Sequence, residues 1–194
     1  MQAENALANV KINLEKLKLS QPEDYQSALE AKQKAEDTLN KTYEDAFNAI
    51  SDAFVNFPTI TSNLNDILYS YQISLSETSV AAGQYNLSAL LNSSDVTDLV
   101  TDRSKIQLMQ NSVEADYKIA DAKYDDCLKD YKNINRYFSK ADIENLLTKT
   151  ADTAKAIAQA IKNTRSYLDA WSDFRTLRDR SIFSKVTEYK TNLV

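Results

Sequence analysis

Histidine is missing from the 194 residues altogether, glycine occurs once, at Gly83, proline twice, at Pro22 and Pro58, and cysteine once, at Cys127. Each shortage removes a class of structure or chemistry. Hairpin turns, phosphate loops and dinucleotide-binding turns need glycine where φ is positive, so a chain with one glycine has almost no place for them. An all-α fold follows. Without histidine the commonest general base and metal ligand is gone, and a di-metal bundle site built on Glu-x-x-His motifs is excluded. One cysteine allows neither an intramolecular disulfide nor a cysteine metal cluster. There is no run of about 18 apolar residues and no signal-like apolar segment after Met1-Gln2, so the chain as given is expected to be soluble. The net charge of −5 is interspersed rather than blocked. That suits solvated helix faces and lacks the basic footprint of a nucleic-acid binder.

What is present is helical periodicity. In "AENALANVKINLEKLKL" the residues Ala3, Leu7, Val10, Leu14 and Leu17 alternate at spacings of four and three, the seam of helices packed at a shallow angle. Ser20-Gln21-Pro22-Glu23 reads as a capping box with proline in the first turn, which ends the first helix near residue 19. A second helix is predicted from Pro22 to Phe57 on the seam Leu39, Tyr43, Ala46, Ile50, Ala53 and Phe57. Pro58 biases Phe57 away from helical geometry and should end it. Residues 58–100 read as an irregular distal segment of short helices. One of these is capped by Thr61 or Ser62 and carries Leu64, Ile67, Leu68 and Tyr71.

A third helix follows the seam Ile106, Val113, Tyr117, Ala120, Tyr124, Cys127, Tyr131, Ile134 and Phe138, with Gln110 as its polar member. Ser139-Lys140-Ala141-Asp142 begins a fourth with an acidic first turn. Its seam reads Ile143, Leu147, Thr150, Ala154, Ile157, Ile161, Thr164, Leu168 and Trp171, then Ile182, Val186, Tyr189 and Leu193. Neither glycine nor proline interrupts residues 142–194, which predicts one long helix, bent near Ser172. The second and third helices, each about 54 Å long, match as an antiparallel pair, and the fourth, about 75 Å long, overhangs them. The predicted architecture is therefore an elongated antiparallel bundle. Residues 20–172 form a three-helix head, and residues 1–19 and 173–194 pair as a two-helix coiled-coil stalk. Beginning and ending mid-helix, the sequence reads as excised from a longer protein.

No constellation declares a reaction. Asp121, Tyr124, Asp125 and Asp126 in "DAKYDDCLKD" read as a solvated face. Cys127 shares a seam with Tyr124 and Tyr131 and reads as a small core hydrophobe, because a nucleophile needs a base and a lowered pKa. Of the eleven tyrosines, Tyr43, Tyr117, Tyr124 and Tyr131 fall on seams. Tyr69, Tyr71 and Tyr85 lie in the distal segment, where they are free to contact a partner. Asn86-Leu87-Ser88 and Asn92-Ser93-Ser94 match the glycosylation sequon and read as coincidence. The expectation is a non-enzyme with no catalytic residue, cofactor or metal.

The opening "ENALANVKINLEKLKL" resembles the helical-hairpin segment of HlyD-type membrane-fusion proteins, the periplasmic or extracytoplasmic adaptors of bacterial export systems. The closing "VTEYKTNLV" is similar to the arm by which such hairpins return toward a lipoyl domain. The stretches "KTYEDAFNAISDAFVNFPTI" and "DIENLLTKTADTAKAIAQAIKNT" resemble a helical insert of divergent adaptors. The family's glycine-rich lipoyl halves and β-barrel have no counterpart in this chain, and no functional residue is carried over. The resemblance implies a spacer and interaction module whose partners are its own protomers and transporter components. It also implies an extracytoplasmic location, with membrane association only through parts outside this sequence. Two other classes fit the pattern: an extracytoplasmic ligand-sensing bundle of a membrane receptor, and a free-standing structural coiled-coil protein.

Overall fold

Three- and four-residue spacing of apolar side chains is realised as helix through almost the whole chain. The computed structural model describes residues 2–76, 82–93, 100–134 and 139–193. Six helices and no strand occur among them: α1 (Gln2–Tyr69), α2 (Gln72–Ser76), α3 (Asn86–Leu91), α4 (Val100–Asn133), α5 (Lys140–Thr176) and α6 (Ser184–Asn192). The fold is all-α. No helix among the described residues is long and apolar enough to cross a membrane.

α1 corrects the expected boundaries, because it runs unbroken through both prolines. At Pro22 the expected capping box does not form. The Ser20 hydroxyl instead donates back to the Leu17 carbonyl at 3.3 Å, as in a helix interior. The leucine-, lysine-, glutamate- and alanine-rich flanks have high helix propensity and carry the helix across the missing donor. Pro58 likewise fails to end the element. It deprives the Phe54 carbonyl of its usual donor, a loss of about 3 kcal/mol. That loss is outweighed by a stripe that stays buried on both sides of the proline: Phe54, Phe57, Thr61, Leu64, Ile67 and Leu68. The helix expected from Thr61 or Ser62 is therefore the end of α1, and Tyr71 falls just beyond it.

The chain divides into two compact units, Met1–Ala46 and Phe47–Val194. The described part of the first is helix throughout, and every side chain from Asn5 to Thr42 is exposed except the half-exposed Ser20. Its helix is supported by pairs one turn apart. Gln26 donates to Glu30 and Gln33 to Asp37, each at 3.0 Å, and Lys32 pairs with Glu36 at 3.6 Å. Such contacts stabilise a helix by about 0.2–0.5 kcal/mol each.

In the second unit, residues 47–69 of α1 run antiparallel to α4. The Phe54 ring stacks on Tyr131 at 4.2 Å, and Asn65 Nδ2 donates to the Tyr117 hydroxyl at 2.8 Å. α4 in turn runs antiparallel to α5. Lys149 reaches Asp126 and Asp130 at 3.0 and 2.5 Å, while Asn163 further along bonds Asp116. α5 begins as expected, with a reciprocal capping box between Ser139 and Asp142. Its buried seam differs from the predicted one at alternate positions. Leu146, Thr153 and Ala160 are buried, whereas Leu147 and Ala154 are exposed and Ile161 is half-buried. Small side chains sit where α5 approaches α4 closely, and Thr153 Oγ1 lies 3.3 Å from the Lys123 carbonyl of the facing helix.

The expected continuation of α5 to the end of the chain is also corrected. The helix closes at Thr176 through a Schellman-type turn: Arg180 N–H donates to the Arg175 carbonyl at 3.0 Å and Asp179 N–H to the Thr176 carbonyl at 3.1 Å. Asp179 holds the left-handed position, φ 52°, that glycine usually takes. The chain then turns into α6, whose Val186 and Tyr189 are buried within the second unit along with Phe183. These closing residues, expected as one arm of a stalk, instead complete a core. Leu7, Val10, Leu14 and Leu17 of the other expected arm are exposed. The division falls between residues 46 and 47, not at 19/20 and 172/173.

Candidate functional site

α1 ends with carbonyls that have no partner in their own helix. Asn86, which opens α3, supplies donors for them. Its side chain is fully buried, with Nδ2 3.0 Å from the Ile67 carbonyl, 3.2 Å from that of Asp66, 2.9 Å from Ser70 Oγ and 3.2 Å from the Tyr189 hydroxyl. Its Oδ1 accepts from Ile73 N–H at 2.9 Å, and its own N–H donates to the Ser70 carbonyl at 2.8 Å. One amide thereby ties the end of α1 to α2, α3 and α6. Gly83, at φ 79°, makes the turn that brings the chain back to this point. α3 is anchored from its other side by α5, as Trp171 Nε1 donates to the Leu90 carbonyl at 3.1 Å and the Tyr167 hydroxyl to that of Leu87 at 3.5 Å.

This anchoring brings together the three tyrosines singled out in the sequence. Tyr69 ends α1, Tyr71 follows it, and Tyr85 directly precedes Asn86. Tyr71 and Tyr85 have ring centroids 4.6 Å apart, and Tyr69 meets Tyr85 edge-on at 6.3 Å. Tyr117 of α4 joins the row at 5.4 Å from Tyr69. The row grades outward, from the buried Tyr117 through the half-buried Tyr69 to Tyr71 and Tyr85, which are 41% and 47% exposed.

Every phenol in the row whose titration is shifted moves upward. Burial raises Tyr69, helped by Glu114, Tyr117 and Asp121. Burial likewise raises Tyr117, opposed by the hydrogen bond from Asn65 and helped by Asp121 and Asp125. Tyr71 is raised by hydrogen bonding with Tyr85. These hydroxyls stay protonated near neutral pH, so the cluster offers ring faces and neutral hydrogen bonds rather than a base. Tyrosine suits protein contacts for that reason.

The remaining candidates are occupied structurally. Cys127 is buried with Sγ 3.6 Å from Thr150 Oγ1. Asp126 pairs with Lys149, whose ammonium is held well above its usual range by Asp130 and Asp126. Asp121 is half-buried and raised by burial and by Asp125 one turn away. Among the described residues no group of three cysteine, aspartate or glutamate side chains is placed to hold a metal ion. Asn86 of the first sequon is inside the core and inaccessible. Ser94 of the second lies outside the described residues. A cleft of about 300 Å³ lies beside α6, with Asp66, Ser70, Lys185, Glu188 and Tyr189 in its lining. Lys185 and Glu188 already pair at 2.6 Å and the Tyr189 hydroxyl bonds Asn86.

Two features escaped the sequence reading. One is the structural role of Asn86, visible in the sequence only as part of a sequon. The other is Arg175, buried on α5, whose Nε donates to the Ser181 carbonyl at 2.7 Å while its guanidinium lies 5.1 Å from the Trp171 ring and 4.2 Å from that of Phe183. Arg175 fixes the turn that delivers α6 to the tyrosine end of α1. No known protein family, curated protein or solved structure matches this chain.

Proposed function

We propose that the chain is a non-catalytic helical spacer and interaction module. One observation carries this reading. On the first unit the seam residues Leu7, Val10, Leu14 and Leu17 keep between 49% and 64% of their surface exposed, although their spacing is that of side chains meant to meet another helix. A contiguous apolar stripe of that kind marks an interaction surface. The second unit, with its own core, is the rigid body that such a module needs, and Tyr69, Tyr71 and Tyr85 offer it a second contact surface.

The likeness of the two ends of the sequence to HlyD-type hairpins supports a place for this module in an export-system adaptor linking an inner-membrane transporter to outer partners. On that reading the parent protein works in the cell envelope, and helix length sets the distance between partners. The full reading frame tests it. An adaptor carries glycine-rich β segments on both sides of these residues. Apolar spans of about 20 residues there would replace it with the ligand-sensing receptor.

A further inference from the structure

The exposed seam of the first unit changes character along its length. Leu7, Val10, Leu14 and Leu17 occupy its first half; Ala28, Ala31, Ala35 and Thr38 continue it at the same alternating spacing, separated by Gln21 and Asp24. All of these side chains are exposed. The second half forms a shallow groove along Ala31, Ala35, Thr38 and Thr42. Its threonines are not polar gaps. Thr38 Oγ1 donates to the Lys34 carbonyl at 2.7 Å and Thr42 Oγ1 to the Thr38 carbonyl at 2.9 Å, so their hydroxyls are satisfied within their own helix and leave their methyl groups for contact. One half of the stripe is therefore ridge and the other half groove.

We propose that this stripe is the interface of a two-fold antiparallel homodimer, in which the leucine half of each copy fills the alanine-threonine half of the other. Antiparallel seams pair a first-type position with a second-type one, and only one alignment satisfies every layer. Leu7 meets Thr38 of the second copy, Val10 meets Ala35, Leu14 meets Ala31, and Leu17 meets Ala28. At the centre Gln21 meets Asp24, where the amide can donate to the carboxylate. Because each pair occurs twice about the axis, the surface is self-complementary, as a two-fold interface must be.

A parallel pair fits worse. It stacks leucine on leucine, leaves alanine facing alanine, and sets Asp24 against Asp24. On the flanks of the antiparallel form, Lys18 comes beside the Tyr25 ring of the second copy, a cation–π arrangement. Lys11 meets Lys32, the one opposed pair, and Lys32 already has Glu36 as a counter-ion at 3.6 Å. The strip from residue 5 to residue 40 is about 54 Å long and about 10 Å wide. It therefore covers about 1,100 Å² over the two copies, above the ~1,000 Å² of a specific interface.

This inference rests on the reading of the chain as an interaction module and names its partner. Cross-linking with sedimentation tests it. The intact chain should sediment as a dimer at tens of micromolar. The double variant Leu14→Cys/Ala31→Cys, mildly oxidised, should become a covalent dimer. The two positions lie about 25 Å apart on one helix, too far for a disulfide within a copy. Leu14→Cys alone should not cross-link, and the parent chain with only the buried Cys127 is the control. Val10→Glu/Leu14→Glu should weaken the dimer at least tenfold, with the melting of the second unit, followed by tryptophan fluorescence, unchanged as proof of folding. A monomer at 100 micromolar overturns the inference, and so does efficient cross-linking of Leu14→Cys to itself. Neither result touches the adaptor reading, which stands or falls on the flanking sequence.

Discussion

Residues 47–193 and residues 2–46 use the same residue types at the same helical spacing, yet only the first set encloses a core. Its seam side chains, such as Leu64, Ile106, Ile157 and Trp171, are almost wholly buried. Their equivalents Leu7, Leu14 and Leu17 are about half exposed. What separates the regions is the polar anchoring between elements. Asn86, Trp171 and Tyr167 bond across helices in the second region, whereas the side-chain hydrogen bonds of residues 5–42 stay within about one turn of the same helix. Periodicity makes a helix able to pack; the cross-element hydrogen bonds determine where it packs.

Substitutions in the two regions should differ sharply in their effect on stability. Trp171→Ala removes the largest fully buried side chain and the donor to Leu90, and should cost about 3–5 kcal/mol by urea unfolding. A loss below 1 kcal/mol would mean that α3 is not anchored on α5. Asn86→Leu removes the side-chain partner of Ile73 N–H and of the Ile67 carbonyl, so it should cost about 1–3 kcal/mol. In hydrogen exchange the protection of α2 should fall before that of α5. Asp179→Gly should stabilise by about 0.5–1 kcal/mol, since it relieves a left-handed residue that carries a Cβ. Destabilisation would refute the Schellman closure.

Leu14→Ala, on the first region, should change unfolding of the second by less than about 0.5 kcal/mol. Any larger change would erase the contrast between the regions. The smallest effect concerns pH. Burial and Asp125 raise the Asp121 carboxyl above its ordinary value, so the folded chain holds that proton more tightly than the unfolded one. The stabilisation it contributes is full below the ordinary carboxylate pKa and is lost as pH rises through that value to the raised one. Asp121→Asn should therefore stabilise at pH 7 by less than about 0.5 kcal/mol, given the site's exposure. The difference should vanish near pH 3.

The helical class was legible from the near-absence of glycine, and α5 from its cap at Ser139. The boundaries that failed were those drawn from proline. A local rule cannot weigh the penalty of Pro58 against a buried stripe running from Phe54 to Leu68, nor that of Pro22 against the helix propensity of its exposed flanks. The α5 seam was misplaced where hydrophobicity favoured Leu147 and Ile161, whereas close helix approach selects Thr153 and Ala160. The end of α5 at Thr176 was hidden because Asp179 stands where the usual glycine signal would be. Tyr69, Tyr71 and Tyr85 were found from their position in the chain. What brings them together, the Asn86 amide, was invisible, because a buried asparagine and a surface one look alike in sequence.

The position of that amide bears on how the protein can be produced. In a eukaryotic secretory host, oligosaccharyl transfer meets the nascent chain before it folds, when the Asn86-Leu87-Ser88 tripeptide is still accessible. A sugar added there would occupy the nitrogen that must later bond the last carbonyls of α1 and the Tyr189 hydroxyl of α6, and the modified chain could not reach its native state. A bacterial host, or a Ser88→Ala chain made in the secretory pathway, avoids that trap.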